Sequence, residues 1–157
     1  MKRKIACIIQ ARTNSKRFPG KILMPVLKKS LLQHQLERLK KLKKVNDLIV
    51  ATTKNKIDEP IVSIAKRLRI KVFRGDEKNV LKRYYDCATI NKSTIIIRIT
   101  ADCPLIDPAV VDKARERVVQ SWVDCLRCSS TESALEELAG GAHRKRVVCV
   151  AVDGIET

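Results

Sequence analysis

The sequence predicts an α/β protein: three layers, α/β/α, built around a mostly parallel sheet. Short apolar runs too continuous to have one wet face recur along the chain, as in Ile5–Ile9 and Ile95–Ile97, and strands of that kind belong to sheets covered on both sides. Between these runs lie amphipathic segments with helical spacing, and that alternation is the signature of crossover connections. Finally, 45% of the 157 residues are apolar against 32% charged, enough hydrophobic surface to offset chain entropy in one packed core.

The elements follow in order. Lys4–Ile9 reads as a first strand feeding a polar loop, Gln10–Lys21, that contains Pro19-Gly20. Ser30 and Gln33 form a capping-box signature, and Leu32, Leu36 and Leu39 mark a helix running to the lysines near Lys44. Leu48–Thr52 is a second strand. Asp58 then caps a helix with Glu59 and Pro60 in its first turn and Ile61, Ile64, Ala65 and Leu68 on one face. Lys71–Arg74 is a third strand, followed by a helix that Asp76 can cap and that carries Leu81, Tyr84 and Ala88. Thr94–Ile99 is a fourth strand, and Asp107-Pro108 opens another helix.

Charge narrows the partner. Thirty-three Lys and Arg against 17 Asp and Glu give +16, a balance that favours anions. Residues 1–117 carry +18 and residues 118–157 carry −2, with one lysine of nineteen, Lys145, in the later part. Two regions are therefore expected: a nucleotide-binding α/β domain over 1–117 and an atypical segment over 118–157. Only five aromatics are present and no basic run interleaves them, so nucleic acid is not the expected partner. The longest apolar run, Val147–Val152, is far shorter than the roughly 18 residues of a membrane span. Six scattered cysteines suit reduced core thiols, and a cytoplasmic protein is expected.

Ligands of parallel α/β sheets sit beyond the carboxyl ends of the strands. The loops there hold Arg12, Thr52, Arg74 and Asp102. The first loop concentrates Arg12, Lys16, Arg17 and Lys21 with Thr13, Ser15 and Gly20, a set built for an anion. Guanidinium groups grip phosphate oxygens in pairs, lysine adds a point charge, and backbone N–H groups near Gly20 can close a nest. The loop lacks the Walker A spacing, since Ile22 follows Gly20-Lys21 where a hydroxyl is required, and Gly-x-Gly-x-x-Gly is absent. Asp107 reads as a helix cap and His34 as an exposed helix residue.

Ile-Ile-Gln-Ala-Arg12-x-x-Ser15-x-Arg17-x-Pro19-Gly20-Lys21, Ala51-Thr-Thr53, Val72-Phe-Arg-Gly75 with Val80-Leu81, and Arg98-Ile-Thr-Ala-Asp102-Cys-Pro104-Leu-Ile-Asp107-Pro108 occur in that order. Over about residues 4 to 117 this resembles the cytidylyltransferase family of the spore coat polysaccharide biosynthesis type, related to the Kdo and acylneuraminate cytidylyltransferases. The resemblance implies a nucleotide-diphosphosugar transferase fold and transfer of CMP from CTP to a sugar hydroxyl. It implies that Arg12, Ser15, Arg17 and Lys21 contact phosphates, with Gly20 in the same nest. Backbone at Gln10 and Ala11 would read the base, Thr52, Arg74 and Thr100 would line the nucleotide, and Asp102 would hold Mg2+. Arg12, Lys21 and Asp102 form the implied catalytic set; CTP and a sugar or sugar-acid acceptor are the implied partners, and a homodimer the implied assembly. Four residues depart from the family pattern: Thr13, Asn14, Lys82 and Ala101.

Val118–Thr157 resembles nothing in that family and reads as a truncated or foreign tail, so the expectation is a chain that binds CTP but turns over poorly. Cys125, Cys128, His143 and Cys149 have a spacing loosely like a zinc site, with incidental thiols as the default. The rival from another class is a non-catalytic basic module for nucleotide or nucleic acid. Steep salt dependence of binding would distinguish it.

Overall fold

The computed structural model describes residues 4–15, 17–120 and 146–149. Five strands form one parallel sheet: β1 (Ile5–Gln10), β4 (Asp47–Thr53), β5 (Lys71–Gly75), β6 (Ile95–Thr100) and β7 (Arg146–Cys149). Two short strands, β2 (Pro25–Val26) and β3 (Lys29–Ser30), make a separate antiparallel hairpin. The helices are α1 (Leu31–Leu39), α2 (Glu59–Arg67), α3 (Val80–Ile90) and α4 (Pro108–Gln120).

Strand order in the large sheet is β5-β4-β1-β6-β7. The chain steps outward from β1 to β4 to β5, then returns to place β6 on the other side of β1. The reversal therefore falls between β1 and β6, whose register pairs Gln10 with Thr100. Burial explains why β1 reads as an unbroken apolar run. Ile5, Cys7 and Ile9 belong to one core cluster with Leu32, Leu36, Ile61, Ala65 and Val111 of α1, α2 and α4. Ala6 and Ile8 face the other way, clustering with Tyr84, Cys87 and Ala88 of α3. Three layers result, as the sequence predicts. Cys7 and Cys87 are buried free thiols, and burial pushes the Cys87 thiol up to about 12.

Several local expectations need correction. Ser30 does cap α1, its Oγ accepting from the Gln33 N–H at 3.1 Å, but the helix stops at Leu39 and not near Lys44. The lysines beyond it turn back, and the Lys43 and Lys44 N–H groups donate to the Asp112 carboxylate of α4 at 3.2 and 3.3 Å. Asp58 precedes α2 without a side-chain cap, because its carboxylate is committed elsewhere. The cap of α3 is Asn79, which accepts from the Lys82 N–H at 2.8 Å, while Asp76 accepts from the Lys78 and Asn79 N–H groups in the preceding turn. Asp107 behaves as expected, accepting from Ala109 N–H at 2.8 Å. The hairpin was invisible because its turn is Leu27-Lys28, both at positive φ, without the glycine or asparagine that signals such a turn.

Gly75, at the end of β5, is required by space. A Cβ there would lie 2.8 Å from Arg83 Cγ and 2.9 Å from Phe73 Cε1, both inside contact distance. Gly75→Ala is expected to lower stability by about 1 to 3 kcal/mol through overpacking, measurable as a shift in the urea midpoint without change in its slope.

Candidate functional site: an anion loop at the strand reversal

The carboxyl ends of β1 and β6 flank the point where strand order reverses, the place where open α/β sheets hold ligands. From β1 the chain passes through Ala11 and Arg12 into the basic loop. From β6 it passes through buried Ala101 to Asp102. Ala101 N–H donates to the Gln10 carbonyl at 3.0 Å, and fully buried Gln35 of α1 donates to the Thr100 carbonyl at 2.7 Å. Those two bonds fix the exit from β6 and with it the height of Asp102.

Lys21 and Asp102 meet across the crevice, Nζ donating to Oδ2 at 2.9 Å. The Asp102 carboxyl is held below its ordinary range by hydrogen bonding from Thr100 first and then from Lys21, with burial opposing. Lys21 opens a short 3-10 turn, Lys21–Leu23, entered through Gly20 at φ 73°, a left-handed conformation in which a side chain would be strained. Eighty-one residues apart in sequence, the lysine and the carboxylate form the junction of the two motifs.

The loop has a strut. Asp58 Oδ1 accepts from Thr13 N–H at 2.7 Å, and Oδ2 accepts from the Thr53 hydroxyl. The Thr13 hydroxyl donates to the Ile57 carbonyl at 3.2 Å, so the threonine that replaces the commoner residue is used twice. The Thr13 carbonyl in turn accepts from the N–H groups of Gly20 at 2.8 Å and Ser15 at 3.0 Å, drawing the loop closed. Burial alone would raise the Asp58 pKa, but the bonds from Thr53 and Thr13 outweigh it and the carboxyl lies below its ordinary value.

Placement of the other sequence-predicted residues is uneven. Arg12 is half-buried, and its guanidinium makes no hydrogen bond or ion pair among the described residues. Ser15 is half-buried and Arg17 exposed on the same loop. The Gly20 N–H is spent on Thr13, so this group closes the loop instead of facing a ligand. At Gln10 and Ala11, the Gln10 carbonyl and the Ala11 N–H are taken by Ala101 and Ala51. Thr100 is exposed beside Asp102. Thr52 is fully buried, close enough to Asp58 to help hold its pKa down. Arg74 donates from Nε to the Thr53 carbonyl, from Nη1 to Glu59 and from Nη2 to the Asn55 carbonyl, strapping the end of β4 to α2. Cys125, Cys128 and His143 lie outside the described residues; among those described, no group of three metal-ligating side chains occurs.

Sequence reasoning missed Asp58, Gln35 and Arg83, all buried polar groups facing the strand ends. No local signal marks them, since Asp58 and Gln35 act on partners 45 and 65 residues away.

A parallel α/β sheet with a strutted basic loop and a lysine–carboxylate pair at its strand reversal defines a protein of the nucleotidyltransferase-like class. The chain belongs to the cytidylyltransferase family, whose profile matches residues 6–147, well past residue 117, where the resemblance read from the motifs ends. It is 38% identical to the 3-deoxy-manno-octulosonate cytidylyltransferase of Solibacter usitatus over 73% of this chain and 44% of that one. It is 35% identical to the spore coat polysaccharide biosynthesis protein SpsF of Bacillus subtilis over 69% of this chain and 47% of that one. Among solved structures, a cytidylyltransferase from Leptospira borgpetersenii superposes with a TM-score of 0.74 at 38% identity, covering 77% of this chain and 51% of that one. The chain thus spans about half the length of the curated relatives it matches.

Proposed function

We propose that this chain binds CTP at the β1–β6 crevice and takes part in transfer of its cytidylyl group to a sugar hydroxyl, in cytoplasmic synthesis of an activated sugar for a surface or spore-coat polysaccharide. The observation that carries the reading is the Lys21–Asp102 pair joining the loops that leave β1 and β6 at the strand reversal, on the same loop as an Arg12 guanidinium that makes no hydrogen bond or ion pair among the described residues. A sugar acid such as 3-deoxy-manno-octulosonate is the first acceptor to try, because a relative at 38% identity bears that name. In the reaction the acceptor oxygen bonds to the α-phosphorus, the bond to the β-phosphate oxygen breaks, pyrophosphate leaves and the hydroxyl proton passes to solvent. Catalysis of such a step is chiefly positioning and charge stabilisation, the work for which Arg12, Ser15, Arg17 and Lys21 are suited.

A divalent ion fits one residue here. Asp102 supplies a hard, partly exposed carboxylate oxygen, which suits a magnesium ion that keeps waters and draws its other ligands from phosphates. When bound, the ion neutralises charge on the departing pyrophosphate. The protein's own part is to hold it through Asp102 and to set Lys21 against the phosphates.

The test is a thermal-shift panel of CTP, UTP, ATP and GTP with and without Mg2+, followed by pyrophosphate release with CTP and 3-deoxy-manno-octulosonate. A saturable shift largest for CTP with Mg2+ supports the reading. Equal shifts for all four nucleotides, or tight RNA binding that collapses with salt, overturn it. In the same assay Asp102→Asn is expected to abolish the Mg2+ enhancement while leaving metal-free CTP affinity within about 3-fold, since the amide keeps shape but loses the anionic donor. Undiminished enhancement in the variant would leave Asp102 as a partner of Lys21 alone.

A further inference from the structure

Arg83 lies in the first turn of α3 and is fully buried. Its Nη1 donates to the Asp76 carbonyl at 2.5 Å, while Nε and Nη2 are shielded from solvent and have no hydrogen-bond partner among the described residues. No carboxylate among those residues lies within ion-pair distance of it. The fold makes room for this charge, because any side chain at Gly75 would meet Arg83 Cγ at 2.8 Å.

A buried cation is costly unless something nearby compensates it. The two carboxylates that act on it are already used. Asp58 and Asp76 both feel the charge, but Asp58 is bonded to Thr13 and Thr53, and Asp76 to the Lys78 and Asn79 N–H groups. Arg12, which also acts on Arg83, is of the same sign and makes no hydrogen bond or ion pair among the described residues. Burial pushes the Arg83 pKa down, with Arg12 adding to the effect, yet arginine starts so high that it stays charged. A buried cation at the carboxyl end of β5, with two shielded N–H groups and no carboxylate in ion-pair distance among the described residues, describes half of an electrostatic pair.

We propose that the counter-charge of Arg83 is the polyphosphate of the bound nucleotide: the guanidinium acts through space, from the carboxyl end of the sheet, as a fixed positive charge that raises affinity in proportion to ligand charge. The inference rests on the CTP reading and adds to it a residue that touches no ligand. A charge inside the protein is screened far less than one on the surface, so it can act without contact. The field is preorganised, since Gly75 and the Asp76 carbonyl hold the side chain in place before any ligand arrives.

The decisive variant is Arg83→Met, with Arg83→Lys as the charge-keeping control. Calorimetry with CMP, CDP, CTP and inorganic tripolyphosphate should give a loss that grows with charge, reaching on the order of tenfold for CTP and tripolyphosphate. Arg83→Lys should remain within about 3-fold of the parent for each. Without ligand, Arg83→Met should melt at the parental temperature or above, because an uncompensated charge has been removed. A uniform loss across the series, no loss for CTP, or a variant that unfolds would each overturn the inference. If the parent protein binds tripolyphosphate but does not prefer CTP, the functional reading fails while this charge series still decides the role of Arg83.

Discussion

Lys21→Ala is expected to weaken CTP binding by about 10-fold to 150-fold with the fold unchanged, the usual worth of one charge-assisted contact being about 1.5 to 3 kcal/mol. Its stability cost should be small, because the Lys21–Asp102 pair is partly exposed on both sides and exposed ion pairs contribute about 0 to 1 kcal/mol. The larger effect comes from what the lysine leaves behind. Asp102, freed of its partner at 2.9 Å, becomes an unpaired carboxylate facing an incoming polyanion. The affinity deficit should therefore be greatest without Mg2+ and shrink when the ion neutralises Asp102. Combining Lys21→Ala with Asp102→Asn removes that repulsion, so the double variant should bind metal-free CTP more tightly than Lys21→Ala alone, a coupling that a double-mutant cycle reads directly. Calorimetry on the four proteins checks it; additive losses, or CTP affinity untouched by Lys21→Ala, would remove this lysine from the site.

The same pair marks where the sequence was informative. The placement of Lys21 and Asp102 in strand-end loops was legible because their motifs follow apolar strands, and a strand's carboxyl end faces one edge of a parallel sheet whatever the rest of the chain does. Their meeting was not legible, since it depends on β6 lying beside β1, a topology set by packing. Helix starts show the contrast in miniature. Ser30 caps as read because the capping bond spans three residues, whereas Asp58 does not cap because a partner 45 residues away competes for its carboxylate and wins. Arg74 shows what the sequence left out: an arginine at a strand end reads as a ligand residue, and its Nε, Nη1 and Nη2 each donate within the fold. Arg83 gave no sign at all, since nothing in Lys82-Arg83-Tyr84 distinguishes a buried guanidinium from a solvated one. What identifies it is the pairing with Gly75, a short-range steric fact that becomes visible only in three dimensions.

Asp58→Ala carries the largest expected effect on stability. The carboxylate is buried at 1% exposure and accepts from Thr13 N–H and the Thr53 hydroxyl, so truncation strands two donors and opens a cavity, a loss of about 3 to 5 kcal/mol. Function should fall with it. Thr13 is the residue through which Gly20 and Ser15 are drawn in, and without the strut the basic loop must be ordered at the expense of binding energy. CTP affinity is therefore expected to drop at least tenfold even at temperatures where the variant remains folded. Acid supplies an independent readout. The folded Asp58 pKa lies below its unfolded value, so the carboxylate's contribution is full above an unfolded pKa of about 3.9 and is lost as pH falls through the lower folded value. Between neutrality and about pH 5 the gap in stability between parent and variant should be constant; below about pH 4 it should close. Asp58→Asn, which keeps an acceptor for Thr13, should fall between the two and lose that acid dependence. A variant lacking the carboxylate that binds CTP as tightly as the parent would confine Asp58 to structure, leaving the basic loop to hold its own shape.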